Sequence, residues 1–321
     1  MEEYFFVAVS NRENLRLCLE WSMAGFPDTI NGVWAYCDIK VGDFITFLYG
    51  AKAYNLYRVV GKKAVRNPEA LPPPWKPIFF ERSGRTCHFP FRLELEPVRS
   101  FEVSLARQEF SYIAENLLQR GGYWKTHFQA DQNTLYQVSN IPESPLQLPQ
   151  PLGEKIGSGE VGAETFEPTF VRERGRVAGA YPMREVIVQS LLRQHLREPE
   201  VLQRLLRRLG IEGEEELEVL GEKALAEGYV DILIKRARPR GKNLMIAVEV
   251  KLGRAGRREM EQLRRYMEEL GEECRAGVLL AERLSGDSPP EGVHPVRYSF
   301  GLNLSQPHTF QELQHALSLE I

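Results

Sequence analysis

The chain has 321 residues, of which 43% are hydrophobic and 26% charged, with a formal net charge of -3. That length suits two domains better than one, and the composition excludes wholesale disorder and collagen-like structure. No apolar run approaches the roughly 18 residues of a membrane span, and the acidic start Met1-Glu2-Glu3 speaks against a signal peptide. The four cysteines, Cys18, Cys37, Cys87 and Cys274, are too scattered to frame disulfides or a zinc site, so a cytoplasmic protein without a membrane partner is expected.

Taken in chain order, Tyr4–Ser10 reads as a strand. A helix follows over Arg12–Trp21, with Asn11 as its N-cap. Strands are expected at Asp43–Tyr49, Leu56–Lys62, Phe91–Leu95 and Leu135–Ser139. A second helix spans Leu105–Gln119, closed by Gly121-Gly122. All four tryptophans, eight of the twelve tyrosines and twelve of the sixteen phenylalanines precede residue 140. Short strands, two helices and this aromatic weight predict a small closed or half-open barrel over residues 1–139. Residues 140–179 are punctuated by proline and glycine and read as a linker. Beyond it, a helix over Met183–Leu209 should break at Glu198-Pro199. Strands follow at Leu217–Leu220, Gly228–Lys235 and Leu244–Lys251. A strongly periodic helix then spans Arg257–Leu270, ahead of a strand at Gly277–Ala281. The order αβββαβ over residues 180–321 makes an α/β sandwich, and the whole chain a two-domain α+β / α/β protein.

The chemistry gathers in this second half. Asp231 interrupts one apolar strand and Glu249-Val250-Lys251 the next, which places two acids and a lysine on neighbouring strands. Charge inside an apolar sheet costs several kcal/mol unless it is paired or binds a metal. Two carboxylates with a backbone carbonyl and water are what Mg2+ takes. An acid-x-lysine triplet alone is weak, and Asp38-Ile39-Lys40 is a second one without an acid on a preceding strand.

Gly228-Tyr229-Val230-Asp231-Ile232-Leu233, Val248-Glu249-Val250-Lys251 and Gln262-Leu263-x-x-Tyr266, in this order, resemble the PD-(D/E)xK nuclease superfamily, in its RecB-like and mismatch-endonuclease-like branch. The resemblance covers Glu185 to Ala281. It implies catalysis by Asp231, Glu249 and Lys251, supported by Glu185 and Gln262. It also implies Mg2+ or Mn2+ held by Asp231, Glu249, Glu185 and the Val250 carbonyl, and a DNA contact at Tyr266. Between Lys235 and Arg265 eleven basic residues face three acidic ones, which favours a phosphate-tracking groove built by Arg238, Arg240, Arg254, Arg257 and Arg258.

In the first half, Gly32-Val33-Trp34-Ala35-Tyr36 and Ile39-x-Val41-Gly42-Asp43-Phe44-Ile45-Thr46-Phe47-Leu48-Tyr49 resemble the PUA-like superfamily of EVE and YTH modules. That resemblance implies an aromatic cage around a flipped, modified base. Trp21, Trp34, Tyr36, Trp75 and Trp124 are its candidate walls, with Trp34 expected where a loop enters a strand, and Ser22, Asn31 or Asp38 are candidate edge readers. The combined expectation is a modification-dependent DNA restriction endonuclease, cutting double-stranded DNA as a homodimer with one active site per chain. The alternatives are a structure-specific or mismatch repair endonuclease, and a nucleic-acid-binding regulator without catalysis.

Overall fold

The computed structural model describes residues 2–81, 84–120, 125–143, 164–172, 180–213, 216–226, 228–239 and 241–321. The expected Gly121-Gly122 helix stop, Trp124, Arg240 and most of the expected linker lie outside them. The fold is mixed α+β with two curled six-stranded sheets. It divides into two compact units. One comprises Met1–Ala114, Gly122–Ala130 and Thr134–Pro168, the other Glu115–Gly121, Asp131–Asn133 and Thr169–Ile321.

The first unit opens with β1 (Tyr4–Ala8), α1 (Arg12–Trp21), β2 (Met23–Phe26), α2 (Ile30–Asp38), β3 (Phe44–Tyr49) and β4 (Lys52–Ala64). A hairpin of β5 (Ile78–Phe80) and β6 (Arg85–Cys87) precedes β7 (Phe91–Ser104), α3 (Ser111–Arg120), β8 (His127–Ala130) and α4 (Gln132–Ser139). The sheet order is β2-β7-β4-β3-β1-β8, antiparallel except for the parallel pair β1–β3. Register shifts in the β4–β7 pairing add the bulges that bend long strands, and the sheet curls into a half-barrel. Asn11 caps α1 as expected, its Oδ1 accepting from the Glu13 and Asn14 N–H groups.

Two expectations fail here for the same reason. The loop-to-strand transition expected at Trp34 and the strand expected at Leu135–Ser139 are both helical. Thr29 caps α2, its hydroxyl accepting from the Gly32 N–H, and a Cβ at Gly32 would collide with the Pro27 carbonyl. The glycine serves close packing rather than a turn. In α4 the buried positions are Thr134 and Val138, four apart, which is a helical period. In the segment expected as linker, Thr165 bridges Val65, and β9 (Thr169–Val171) follows.

The second unit continues with β10 (Ala180–Pro182), α5 (Glu185–Leu196) and α6 (Pro199–Arg208), which restarts at Pro199. Next come β11 (Leu217–Leu225), β12 (Gly228–Arg236), β13 (Met245–Ala255), α7 (Arg257–Leu270), β14 (Cys274–Leu284) and β15 (Val293–Phe300). The chain closes with β16 (His308–Thr309), α8 (Phe310–Ala316) and β17 (Leu317–Leu319). The main sheet runs β11-β12-β13-β14-β15-β17, with β13, β14 and β15 mutually parallel, and β10-β9-β16 form a small second sheet. The run Ile246–Val250 on central β13 is almost wholly buried, which is why it reads as a nearly unbroken apolar segment. Met260, Leu263 and Tyr266 of α7 pack over Val230, Ala247, Leu279 and Ala281. Among the described residues, no helix is long and apolar enough to cross a membrane.

Candidate active site

The antiparallel register of β12 and β13 runs from Lys235↔Met245 to Ile232↔Val248, and Asp231 and Glu249 follow at once on their strands. The Val250 N–H, a main-chain donor of β13, is taken by Asp231 Oδ2 at 2.7 Å. Asp231 is 8% exposed and Glu249 2%. Burial pushes both carboxyls above the ordinary range. The neighbouring Glu249 charge adds to the rise at Asp231, while Lys251 opposes it at both. Lys251 Nζ lies 2.8 Å from Glu249 Oε1 and 3.3 Å from Glu185 Oε1. Burial would lower the ammonium pKa, but Glu249 and Asp231 outweigh it and hold the pKa above its usual value. Lys251 is therefore a cation at neutral pH, suited to donating a hydrogen bond or meeting a phosphate rather than accepting a proton.

Helix α5 closes the site on one side. Glu185, in its first turn, accepts from Lys251 and from the Leu252 N–H at 3.3 Å. One turn on, Gln189 Nε2 donates to Asp231 Oδ1 at 2.7 Å. From α7, Gln262 Nε2 reaches Glu249 Oε1 at 3.4 Å and the Tyr266 hydroxyl at 2.6 Å. The structure thus brings together Asp231, Glu249, Val250, Lys251, Glu185 and Gln262. Two further interactions have no counterpart in the sequence reading, Gln189 on Asp231 and the buried Tyr298 hydroxyl, which donates to the Lys251 carbonyl at 3.0 Å. Neither stands at a motif spacing. A glutamine inside a helix and a tyrosine inside a strand give no local signal.

The donor set at Asp231 and Glu249 is oxygen only, and Glu249 Oε2 is buried with no hydrogen-bond partner. Such atoms suit a hard cation, which would relieve both the orphan oxygen and the repulsion between the carboxylates. Among the described residues, no group of three or more His, Cys, Asp and Glu is gathered closely enough to hold a metal. The site can therefore offer the two carboxylates, leaving water to complete most of a shell.

Other expected residues are placed differently. Tyr266 is buried in the α7 core at 4% exposure, its hydroxyl so close to Gly228 that a Cβ there would collide with it. Lys235, one of the basic run, is buried between Asp131 Oδ2 (2.8 Å) and Glu218 Oε1 (3.1 Å), and burial raises Glu218 to about 7 against the pull of Lys235. Arg238, Arg254, Arg257 and Arg258 are exposed. Arg257 pairs with Glu261 at 2.8 Å, Arg264 with Glu268, and Lys242 with Glu272 at 3.6 Å. Glu268 and Glu272 lie just past Arg265, where the basic run ends. Much of the basic excess is therefore compensated locally.

In the first unit, Trp34, Tyr36 and Asp38 all lie on α2, not at a loop-to-strand transition. Trp34 and Asp38, one turn apart, meet at His127, with ring centroids at 4.5 Å and Asp38 Oδ2 3.0 Å from Nε2. Tyr36, roughly 200° around the helix from Trp34, packs on Phe91 instead. Lys62 Nζ lies 4.3 Å from its ring centroid. Trp75 packs against Gly25, Phe89 and the buried Arg92. Trp34 is 6% exposed and Trp75 8%, while Trp21 is half-buried. Trp34, Tyr36 and Trp75 thus pack in separate neighbourhoods, and Asp38 is buried on His127 rather than presented as an edge reader.

No family model matches the chain, and no curated protein matches it. Among solved structures, it has distant, partial similarity to one described as an EndoMS–dsDNA complex, at 26% identity and a TM-score of 0.19, covering 26% of this chain and 36% of that one. It has similar distant likeness to a repair endonuclease from Pyrococcus abyssi, at 19% identity and a TM-score of 0.23, covering 37% of this chain and 48% of that one. The chain thus spans less than half of either structure.

Proposed function

We propose that the chain is a metal-dependent endodeoxyribonuclease whose first unit directs it to double-stranded DNA carrying a modified base, as a modification-dependent restriction enzyme does. The observation that carries the catalytic half is the buried pair Asp231–Glu249 beside a Lys251 held as a cation. Asp231, Glu249 and the Val250 carbonyl would hold Mg2+ or Mn2+, which would supply Lewis-acid polarisation of a phosphate and a more acidic water. Lys251 presents its ammonium to the charge that grows on the phosphate oxygens. Glu185 and Gln262 keep Lys251 and Glu249 in place.

A structure-specific or mismatch repair endonuclease is the second reading. It is favoured by the packing of Trp34 and Trp75, which are buried within the first unit. The two readings separate on a panel of matched duplexes carrying methylated or hydroxymethylated cytosine, methylated adenine, a mismatch, or a branch. Faster cutting of one modified duplex supports the first. A preference for the mismatch or branch, with equal cutting of modified and plain DNA, replaces it with the second.

A further inference from the structure

Glu185 and Gln189 stand one turn apart on α5 and so share a face. Each touches a different strand of the site, Glu185 the Lys251–Leu252 segment of β13 and Gln189 the Asp231 carboxylate of β12. Gln189 is 7% exposed, and while its Nε2 is spent on Asp231, its Oε1 is buried with no hydrogen-bond partner. An orphan acceptor of this kind costs about 1–3 kcal/mol. A leucine or methionine would remove this orphan but would take the Nε2 donor from Asp231 Oδ1. A second orphan acceptor, Glu249 Oε2, belongs to the same cluster. Buried acceptors that lack donors, beside two acids, call for something that brings hydrogen atoms and positive charge together. A hydrated divalent cation does both.

We infer that Gln189 is a positioning residue for the metal site, holding Asp231 through Nε2 and accepting through Oε1 a hydrogen bond from water on the cation. This rests on the metal-dependent reading above. The amide orientation follows from Asp231. Asp231 Oδ1 takes Nε2, which leaves Oε1 as the acceptor without a donor. Val250 N–H fixes the other carboxylate oxygen, so the two donors together set the plane in which Asp231 presents its free lone pairs. Hydrogen bonds to a ligating carboxylate typically change metal affinity by about 10–100-fold.

The test is Mn2+ binding to the full chain by calorimetry, with water-proton relaxation reporting the hydration of the bound ion and thermal midpoints taken in EDTA. Gln189→Leu should weaken Mn2+ binding about 10–100-fold and alter the relaxation of the bound ion, with a cooperative thermal transition in EDTA showing that the variant folds. Gln189→Met, unbranched and close in length, repeats the measurement should the leucine variant fail to fold. Asp231→Ala separates the two levels of the argument. If that variant binds Mn2+ like wild type, the metal-site reading itself falls. If it loses Mn2+ while Gln189→Leu and Gln189→Met keep wild-type affinity and relaxation, Gln189 is a core residue only and this inference is overturned.

Discussion

Two features of Asp231 act in the same direction: it is buried where a neutral side chain would be more stable, and it faces a second acid. A carboxyl with a raised pKa keeps, in the folded chain, a proton that the unfolded chain gives up near pH 4. The metal-free protein is therefore penalised increasingly as pH rises from there through the raised value. Each pH unit of elevation is worth about 1.4 kcal/mol. Asp231→Asn escapes the penalty. Its Oδ1 can accept from Val250 N–H, and Gln189 can turn its amide to accept from Nδ2. In EDTA the thermal midpoints of variant and wild type should coincide near pH 4, and the variant should lead increasingly toward pH 8, at about 2–4 °C per kcal/mol. A constant gap, or a variant that falls behind as pH rises, would contradict this account of the site. The acids and the lysine are legible in the sequence because charge is conspicuous in an apolar strand. Gln189 and Tyr298 are not, because a single polar residue in a buried element looks the same whether or not another element meets it.

At the scale of elements, periodicity and proline are sufficient guides where they are strong. α7 has its expected bounds, Arg257–Leu270, because apolar residues mark one face, and the break between α5 and α6 falls at Pro199. α2 and α4 are obscured because each is short and its cue, Gly32 or a run of apolar and β-branched residues, also fits a strand or turn. The difference matters for function. Residues two apart share a face in a strand but lie on nearly opposite faces in a helix, so Trp34 and Tyr36 fit one cage only if α2 is read as a strand. The arginines at the end of β13 and the start of α7 make a related point. Arg254 and Arg258 are exposed with no ion pair among the described residues, whereas Arg257 holds Glu261. An exposed pair contributes only about 0–1 kcal/mol and does not keep an arginine from a phosphate. Replacing Arg254 and Arg258 by glutamine should weaken duplex binding at every sequence and lower the log–log salt slope by about 0.9 for each phosphate no longer neutralised. An unchanged slope in a salt titration would leave those side chains as a solvated face.

Over the whole molecule, the division into an aromatic half and a carboxylate half is visible in composition, but the compact units are not continuous in sequence. Glu115–Gly121 and Asp131–Asn133 belong to the second unit. There Asp131 neutralises the buried Lys235, Asn116 Oδ1 accepts from the Ala224 N–H at 3.0 Å, and Glu115 pairs with Lys223 at 2.7 Å. No linear pattern announces such exchange, because each interaction joins residues about a hundred positions apart. The carboxylate–lysine cluster therefore has to be tested in the full chain. The direct measurement is nicking and linearisation of supercoiled DNA, pooled from modified and unmodified sources, with Mg2+ or Mn2+ and with EDTA, for wild type, Asp231→Ala and Lys251→Met. The account predicts cutting by wild type only with metal, and a loss of at least a hundredfold in both variants, on the order of 3 kcal/mol or more in the barrier, with DNA binding retained. Metal-dependent cutting by Asp231→Ala at the wild-type rate would place the chemistry elsewhere and contradict it.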